Sequence, residues 1–180
     1  MRDGRNFGYV VAAAIFLIDQ LSKWLVTDVL GIAHMGALLE LLPFFDLRFV
    51  PNVGVSLGLL PAESPMMRWA LVVLTGGIAV AVGVWMTREP NRNDRLALAL
   101  VLGGALGNIL DRIRFGYVVD FADLHFGEWR PFLVFNIADA AITIGVVILL
   151  LRALFVRDKP STNDPSNGAD KPAPVEKMNA

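Results

Sequence analysis

Asn108, Asp111, Arg112, Asp120, Asp123, Asn136 and Asp139 fall within residues 103–139, a stretch that begins and ends in sequence apolar enough for a membrane. Acids and amides beside lipid-facing sequence are costly, so they face a bundle interior, a cavity or a partner, and a cluster of them marks a candidate functional site. Asp111, Asp120, Asp123 and Asp139 offer paired carboxylates. Two acids held close together do not both ionise easily, so one keeps a proton. The ionised member can activate water while the protonated one polarises a carbonyl, which is peptide hydrolysis of the aspartic kind. Carboxylates alone can also hold a cation, so the acids by themselves leave a peptidase and an ion site both open.

The remaining residue types narrow the chemistry. No cysteine is present, which excludes disulfides, thiol nucleophiles and thiolate metal sites. The two histidines, His34 and His125, lie outside the apolar runs, so no multi-histidine metal site and no cofactor are expected. Ser22, Ser56 and Ser64 lack a Gly-x-Ser-x-Gly setting. A net charge of −1 provides no basic field for nucleic acid.

What must position the acids is a set of membrane spans. Of 180 residues, 55% are hydrophobic and 18% charged, and the mean hydropathy is +0.55. Long apolar runs alternate with short charged ones, which predicts spans at about 7–26, 69–86, 96–113 and 131–155. The basic-then-apolar N-terminus resembles a signal peptide, but its run is long and no small-residue cleavage site follows, so it reads as a retained first helix. Pro131 suits the start of the fourth helix. Trp69 and Trp85 sit as interface anchors at the ends of the second span, and its Gly76, Gly77 and Gly83 allow close packing. The 27–65 connection contains FFDLRFVPNVGVSLGLL, which alternates and reads as one or two short strands with a turn at Pro51–Gly54. The expected fold is thus an all-α membrane protein, a four-transmembrane-helix bundle with a small β-rich extracytoplasmic segment and an extracytoplasmic loop. Residues 1–156 form one domain in this reading, and 157–180 a disordered cytoplasmic tail, being rich in Pro, Asn, Asp, Ser and Lys.

Basic residues set the orientation. The N-terminus, the 87–95 loop and the tail hold Arg2, Arg5, Arg88, Arg92, Arg95, Arg152, Arg157, Lys159, Lys171 and Lys177. The other side holds Arg48, Arg68, Arg112, Arg114 and Arg130. The positive-inside rule then puts both termini in the cytoplasm. Asp19 and Lys23 end span one, Asn108, Asp111 and Arg112 end span three, and Asn136 and Asp139 begin span four, so all gather at the outer face. Asp120 and the Asn52 turn lie in the connections on that side. Spacings of three or four residues within the pairs Asp19–Lys23, Asn108–Asp111 and Asn136–Asp139 give each pair a shared helix face. The cytoplasmic halves are nearly free of such groups, whereas an ion conduit needs them spaced across the whole membrane.

Plainer roles stand beside these. Asp19 with Lys23 can be a structural pair that orients the site, Asp111 with Arg112 an interface salt bridge, and Asn52-Gly54 only a turn. Asp123, Glu128, Arg114 and Arg130 read as solvated loop charges, and the histidines as surface residues. Asp120, in an apolar VVDF context, and Asp139, in an apolar helix start, resist such readings.

At these residues the chain resembles the lipoprotein signal peptidases, or signal peptidase II, of the bacterial inner membrane. The resemblance covers roughly residues 7–156 and rests on ordered motifs: Asp19-Gln20-Leu21-Ser22-Lys23, Asn52-Val53-Gly54, Gly107-Asn108-Ile109-Leu110-Asp111-Arg112, Val118-Val119-Asp120-Phe121 and Phe135-Asn136-Ile137-Ala138-Asp139. It departs after Gly54, where the family commonly has a small residue and then an aromatic and this chain has Ser56-Leu57. The resemblance implies an aspartic endopeptidase with Asp120 and Asp139 as the catalytic pair. Asp19, Lys23, Asn52, Gly54, Asn108, Asp111, Arg112 and Asn136 become supporting or substrate-binding residues. It implies a prolipoprotein substrate whose cysteine carries a diacylglyceryl group, cut just before that cysteine, in the inner membrane among its lipids, by a chain working as a monomer without metal or cofactor. Segment 44–60 is expected to cradle the lipidated peptide and the 114–130 connection to act as a lid. A small proton- or cation-coupled transporter using Asp19, Asp111 and Asp139 as ligands is the alternative, and a non-catalytic assembly factor locked by the same polar cluster is a third.

Overall fold

The computed structural model describes residues 2–54 and 65–155. Helices α1 (Arg2–Trp24), α2 (Pro65–Arg88), α3 (Arg92–Phe115) and α4 (Ile137–Phe155) are each long and apolar enough to cross a membrane. α1 ends in a π-helical turn, Leu25–Val29. Strands β1 (Leu38–Leu42), β2 (Phe45–Asn52) and β3 (Val118–Leu124) form an antiparallel sheet in the order β1-β2-β3. The expected tail and Ser56-Leu57 lie outside the described residues.

α3 is the hub, packing against α1, α2 and α4. Over half of its apolar window is buried, 56%, against 22% or less in the other three, so it is the helix least exposed to lipid. Small residues make this possible. A Cβ on Gly103 would stand 2.5 Å from the carbonyl oxygen of Ala12 in α1, and one on Gly104 2.5 Å from that of Ala138 in α4. Close backbone approach is what holds membrane helices together, because lipid supplies no hydrophobic drive between them. The glycines expected to do this were those of α2, but Gly76 and Gly77 face open space. The seam belongs to α3, with Gly145 of α4 set 2.6 Å (as a built Cβ) from the carbonyl of Ala97. Gly104→Ala is therefore expected to lower stability by about 1–3 kcal/mol, and Gly76→Ala to leave it nearly unchanged, as measured by thermal melting in detergent.

The ends of α3 follow local chemistry. Asn91 caps its start by accepting from the Asn93 amide at 2.9 Å. Gly116 stops it in the left-handed region at φ 89°. At the opposite end of the bundle from the acids, Asp94 pairs with Arg152 and ties α3 to α4.

α4 begins at Ile137, not at Pro131. The intervening backbone is claimed by the sheet, since Phe135 donates to the Ala122 carbonyl at 3.1 Å and accepts from the Ala122 amide at 2.8 Å. Asn136 then starts the helix through a reciprocal cap with Asp139. The Asp139 amide donates to Asn136 Oδ1 at 2.9 Å, and the Asn136 amide to Asp139 Oδ2 at 3.3 Å. A second correction concerns the 114–130 connection. Its residues 118–123 are buried in β3 and paired with β2, so this part of the connection is scaffold. Val26, Ile32, Leu47, Phe49, Val119 and Phe121 form the core that seats the sheet on the end of α1.

Candidate active site

β3 and the first turn of α4 supply the two acids. Alternation along β3 puts Asp120 on one face and Asp123 on the other, three residues on. Asp120 is 2% exposed, and both of its oxygens accept amide protons: Oδ1 from Asn136 Nδ2 at 2.7 Å, Oδ2 from Asn52 Nδ2 at 2.9 Å. Asn52 is aimed by the turn, because its Oδ1 accepts from the Gly54 amide at 2.9 Å, with Gly54 at φ 95°. Asp139 is half-buried, and its Oδ1 accepts from Asn108 Nδ2 at 2.8 Å. Asn136 thus touches both acids, Asp120 with its side-chain amide and Asp139 through the helix cap. Burial pushes the Asp120 carboxyl up to about 7, and the nearby Asp139 charge adds to this against the hydrogen bonds of Asn52 and Asn136.

Behind the pair stands a buried ionic group. Lys23 Nζ meets Asp19 at 2.8 Å and Asp111 at 2.7 Å, and its third proton points to Asn108 Oδ1 at 3.3 Å. Each of these carboxylates also holds one backbone amide. Asp111 accepts from Val119 at 3.1 Å, and Asp19 from Ala138 at 3.0 Å. Val119 precedes Asp120 and Ala138 precedes Asp139, so the two acids of the frame fix the peptide groups that carry the two acids of the site. Gly107 lets α3 come this close, since a Cβ there would collide with the Asp19 carboxylate.

All of the predicted site residues converge here, with some partners changed. Asp111 is paired with Lys23 and not with its neighbour Arg112. The Arg112 guanidinium lies in the fields of Asp139 and Asp120 and beside Gly54, and its buried Nε has no hydrogen-bond partner among the described residues. Asp123 is not a solvated loop charge. It is fully buried between Arg48 at 3.2 Å and Arg130 at 3.3 Å. Nor is His125 a free surface residue, as its Nε2 lies 3.0 Å from buried Asp46. Gln20 is a supporting residue that was not singled out. Its amide donates to Asp111 at 2.9 Å, Asp19 at 3.1 Å and the Gly107 carbonyl at 3.3 Å. The available signal was its place one residue after Asp19 at the far end of an apolar helix.

Two grooves meet the acids. A cleft of about 410 Å³, lined by Pro51, Asn52, Gly54 and Val134, reaches Asp120. A more apolar groove of about 240 Å³, lined by Phe132, Phe135, Ala140, Thr143 and Ile144, reaches Asp139. Leu133, 91% exposed, lines both and stands between them. An extended chain lying across Leu133 would pass both carboxyl groups. The partners of the carboxylates are hydrogen-bond donors, an arrangement suited to proton transfer at a peptide bond and not to oxygens converging on a shared cation.

Comparison with known proteins places this chain in a family. Residues 11–155 match the family model described as Signal peptidase (SPase) II. The chain is 52% identical over 165 residues to the lipoprotein signal peptidase of Sphingopyxis alaskensis, covering 92% of this chain and 95% of that one. It is 55% identical over 154 residues to that of Rhizorhabdus wittichii, covering 86% and 89%. Among solved structures, a bacterial membrane enzyme determined by the in meso method at 1.9 Å superposes with a TM-score of 0.72 at 28% identity, over 84% of this chain and 95% of that one.

Proposed function

The chain belongs to the signal peptidase II family, and we propose that Asp120 and Asp139 are the acids with which it works. It is a multi-pass bacterial membrane protein and an aspartic endopeptidase that removes signal peptides from prolipoproteins. The observation that carries the assignment is the shared contact of Asn136 with both acids, which holds them as one unit at the meeting of two grooves.

In the mechanism we infer, Asp139, the more exposed acid, draws a proton from the attacking water. Asp120, buried and holding its proton up to about pH 7, donates to the carbonyl oxygen of the scissile bond. Collapse of the tetrahedral intermediate returns a proton to the leaving amide nitrogen. Asn52 and Asn136 keep Asp120 in place, and Asn108 does the same for Asp139. The Arg112 guanidinium, in the fields of both acids, adds positive charge beside the pair. Asp19, Lys23 and Asp111 position the backbone, and Gly54 provides the turn that aims Asn52. The diacylglyceryl chains of the substrate stay in the bilayer beside the apolar groove while the bond before the modified cysteine reaches the acids. Both termini are cytoplasmic and the site lies at the outer face, following the basic residues. One chain carries the whole site, in keeping with a monomer.

A rise in pH removes the Asp120 proton and with it the group that polarises the carbonyl. The rate of cleavage is therefore expected to fall about tenfold per pH unit above an apparent value near 7, belonging to the coupled pair as a whole. A pH profile of kcat in buffered micelles checks this, and a rate still climbing beyond pH 8 would remove Asp120 as the proton donor. The substrate is tested by incubating the purified chain with a diacylglyceryl-modified precursor peptide and with its unmodified twin. Cleavage of the first alone is expected, and equal cleavage of both would sink the lipid requirement.

A further inference from the structure

The Lys23–Asp111 pair that frames the acids also forms a wall of a separate pocket, of about 310 Å³, which neither Asp120 nor Asp139 lines. This pocket sits where α1, its π-helical turn, β2 and the end of α3 meet. π-helical turns concentrate at functional sites, and this one contributes Thr27 and Asp28 to the lining. Arg114 lines it from α3. Among the described residues, neither Arg114 nor Asp28 has an ion-pair partner. Arg114 stands over the Phe115 ring at 4.8 Å, and Asp28 accepts only from the Thr27 hydroxyl at 2.7 Å.

Helix register orders the backbone of these two residues along the membrane normal. α1 and α3 run in the same direction, with Gly107 against Asp19 and Asp111 against Lys23, an offset of 88 residues in each case (107 − 19 and 111 − 23). Arg114 is then level with Val26, and Asp28 lies two residues further out, about 3 Å at helical rise. A cation nearer the hydrocarbon and an anion beyond it are the complement of a phosphate followed by an ammonium. Exposed Trp24 and Phe115 mark the same level as the aromatic belt of the interface.

We propose that this pocket holds the headgroup of a phospholipid bearing a primary ammonium, its phosphate on Arg114 and its ammonium on Asp28 and the Thr27 hydroxyl. Arginine presents a fork that matches phosphate oxygens. A primary ammonium has protons to give to a carboxylate and a hydroxyl, which a trimethylammonium lacks. The volume accommodates a headgroup and leaves the acyl chains in the bilayer. The Lys23 ammonium in the wall is already shared by two carboxylates and does not compete for the phosphate.

Thermal melting of the full chain in micelles, titrated with phosphatidylethanolamine, phosphatidylcholine, phosphatidylglycerol or free O-phosphoethanolamine, tests this. Phosphatidylethanolamine is expected to raise the melting temperature at the lowest mole fraction. Arg114→Gln is expected to weaken its apparent affinity about tenfold, the scale of one charge-assisted contact. Asp28→Asn is expected to abolish the preference over phosphatidylcholine. Both exposed residues stand outside the peptide-cleaving machinery, so retained cleavage of a lipidated peptide certifies that the variants are folded. The proposal fails if the three lipids act alike, if either variant responds like the parent, or if free O-phosphoethanolamine matches the lipid.

Discussion

Asp120→Asn and Asp139→Asn are each expected to reduce kcat for precursor cleavage by at least about a thousandfold, with the folded protein still recovered from membranes. General acid and base steps contribute on the order of 10²–10⁴ each, and groups that act as a unit fail as a unit. The double variant should therefore be hardly slower than either single one. The amide preserves size and one acceptor oxygen. At Asp120 it also turns an NH₂ group toward Asn52 or Asn136, both of which donate to the carboxylate. That mismatch is expected to cost about 1–3 kcal/mol of stability, small beside the loss of rate. Turnover on a lipidated peptide and thermal melting, measured on the same preparations, separate the two effects. A variant that melts lower but cleaves at near-normal rate would show that the acids only lock helices together, and the peptidase assignment of this pair would be abandoned.

The second large effect falls on stability. Lys23→Met leaves Asp19 and Asp111 buried, at 0% and 1% exposure, without the ammonium they share. Removing one partner of a buried ion pair typically costs about 3–5 kcal/mol. Two carboxylates are abandoned here, so little folded protein should accumulate. The informative companion is Lys23→Met combined with Asp19→Asn and Asp111→Asn, which removes the stranded charges while keeping an oxygen for each backbone amide. Partial recovery of the melting temperature is expected, since replacing a whole buried ionic group is far milder than breaking it. A single Lys23→Met variant as stable as the parent would mean that the ionic group is not what joins α1, α3 and α4.

The spans and the cluster were legible because both rest on composition. Apolar runs of membrane length are rarely anything else, and acids beside them stand out. The spacing of Asn136 and Asp139 suggested a shared helix face, whereas Asn136 stands just before the helix and caps it together with Asp139. What escaped depended on partners remote in sequence. β1, with the sequence Leu38-Leu39-Glu40-Leu41-Leu42, has no alternation of its own and becomes a strand by pairing with β2. Asp123 read as a loop charge because the two arginines that enclose it come from residues 48 and 130. α2 carries three glycines and α3 carries Gly103, Gly104 and Gly107, yet it is the central position of α3 that sets Gly103 and Gly104 against the backbone of α1 and α4, and Gly107 against the Asp19 carboxylate. Pro131 fits a helix start, and the hydrogen bonds of Phe135 to Ala122 outweighed that fit.

The tie between the framing carboxylates and the residues before Asp120 and Asp139 also divides the site between early and late parts of the chain. α1 and α3 precede α4 in the chain and carry Asp19, Lys23 and Asp111, whereas the amide of Ala138 that Asp19 accepts belongs to α4. A nascent chain halted after β3 holds one acid and lacks both Asn136 and the second acid. On the proposed pairing, a chain without its last helix is therefore expected to cleave no precursor, and the two halves of the site become competent together or not at all.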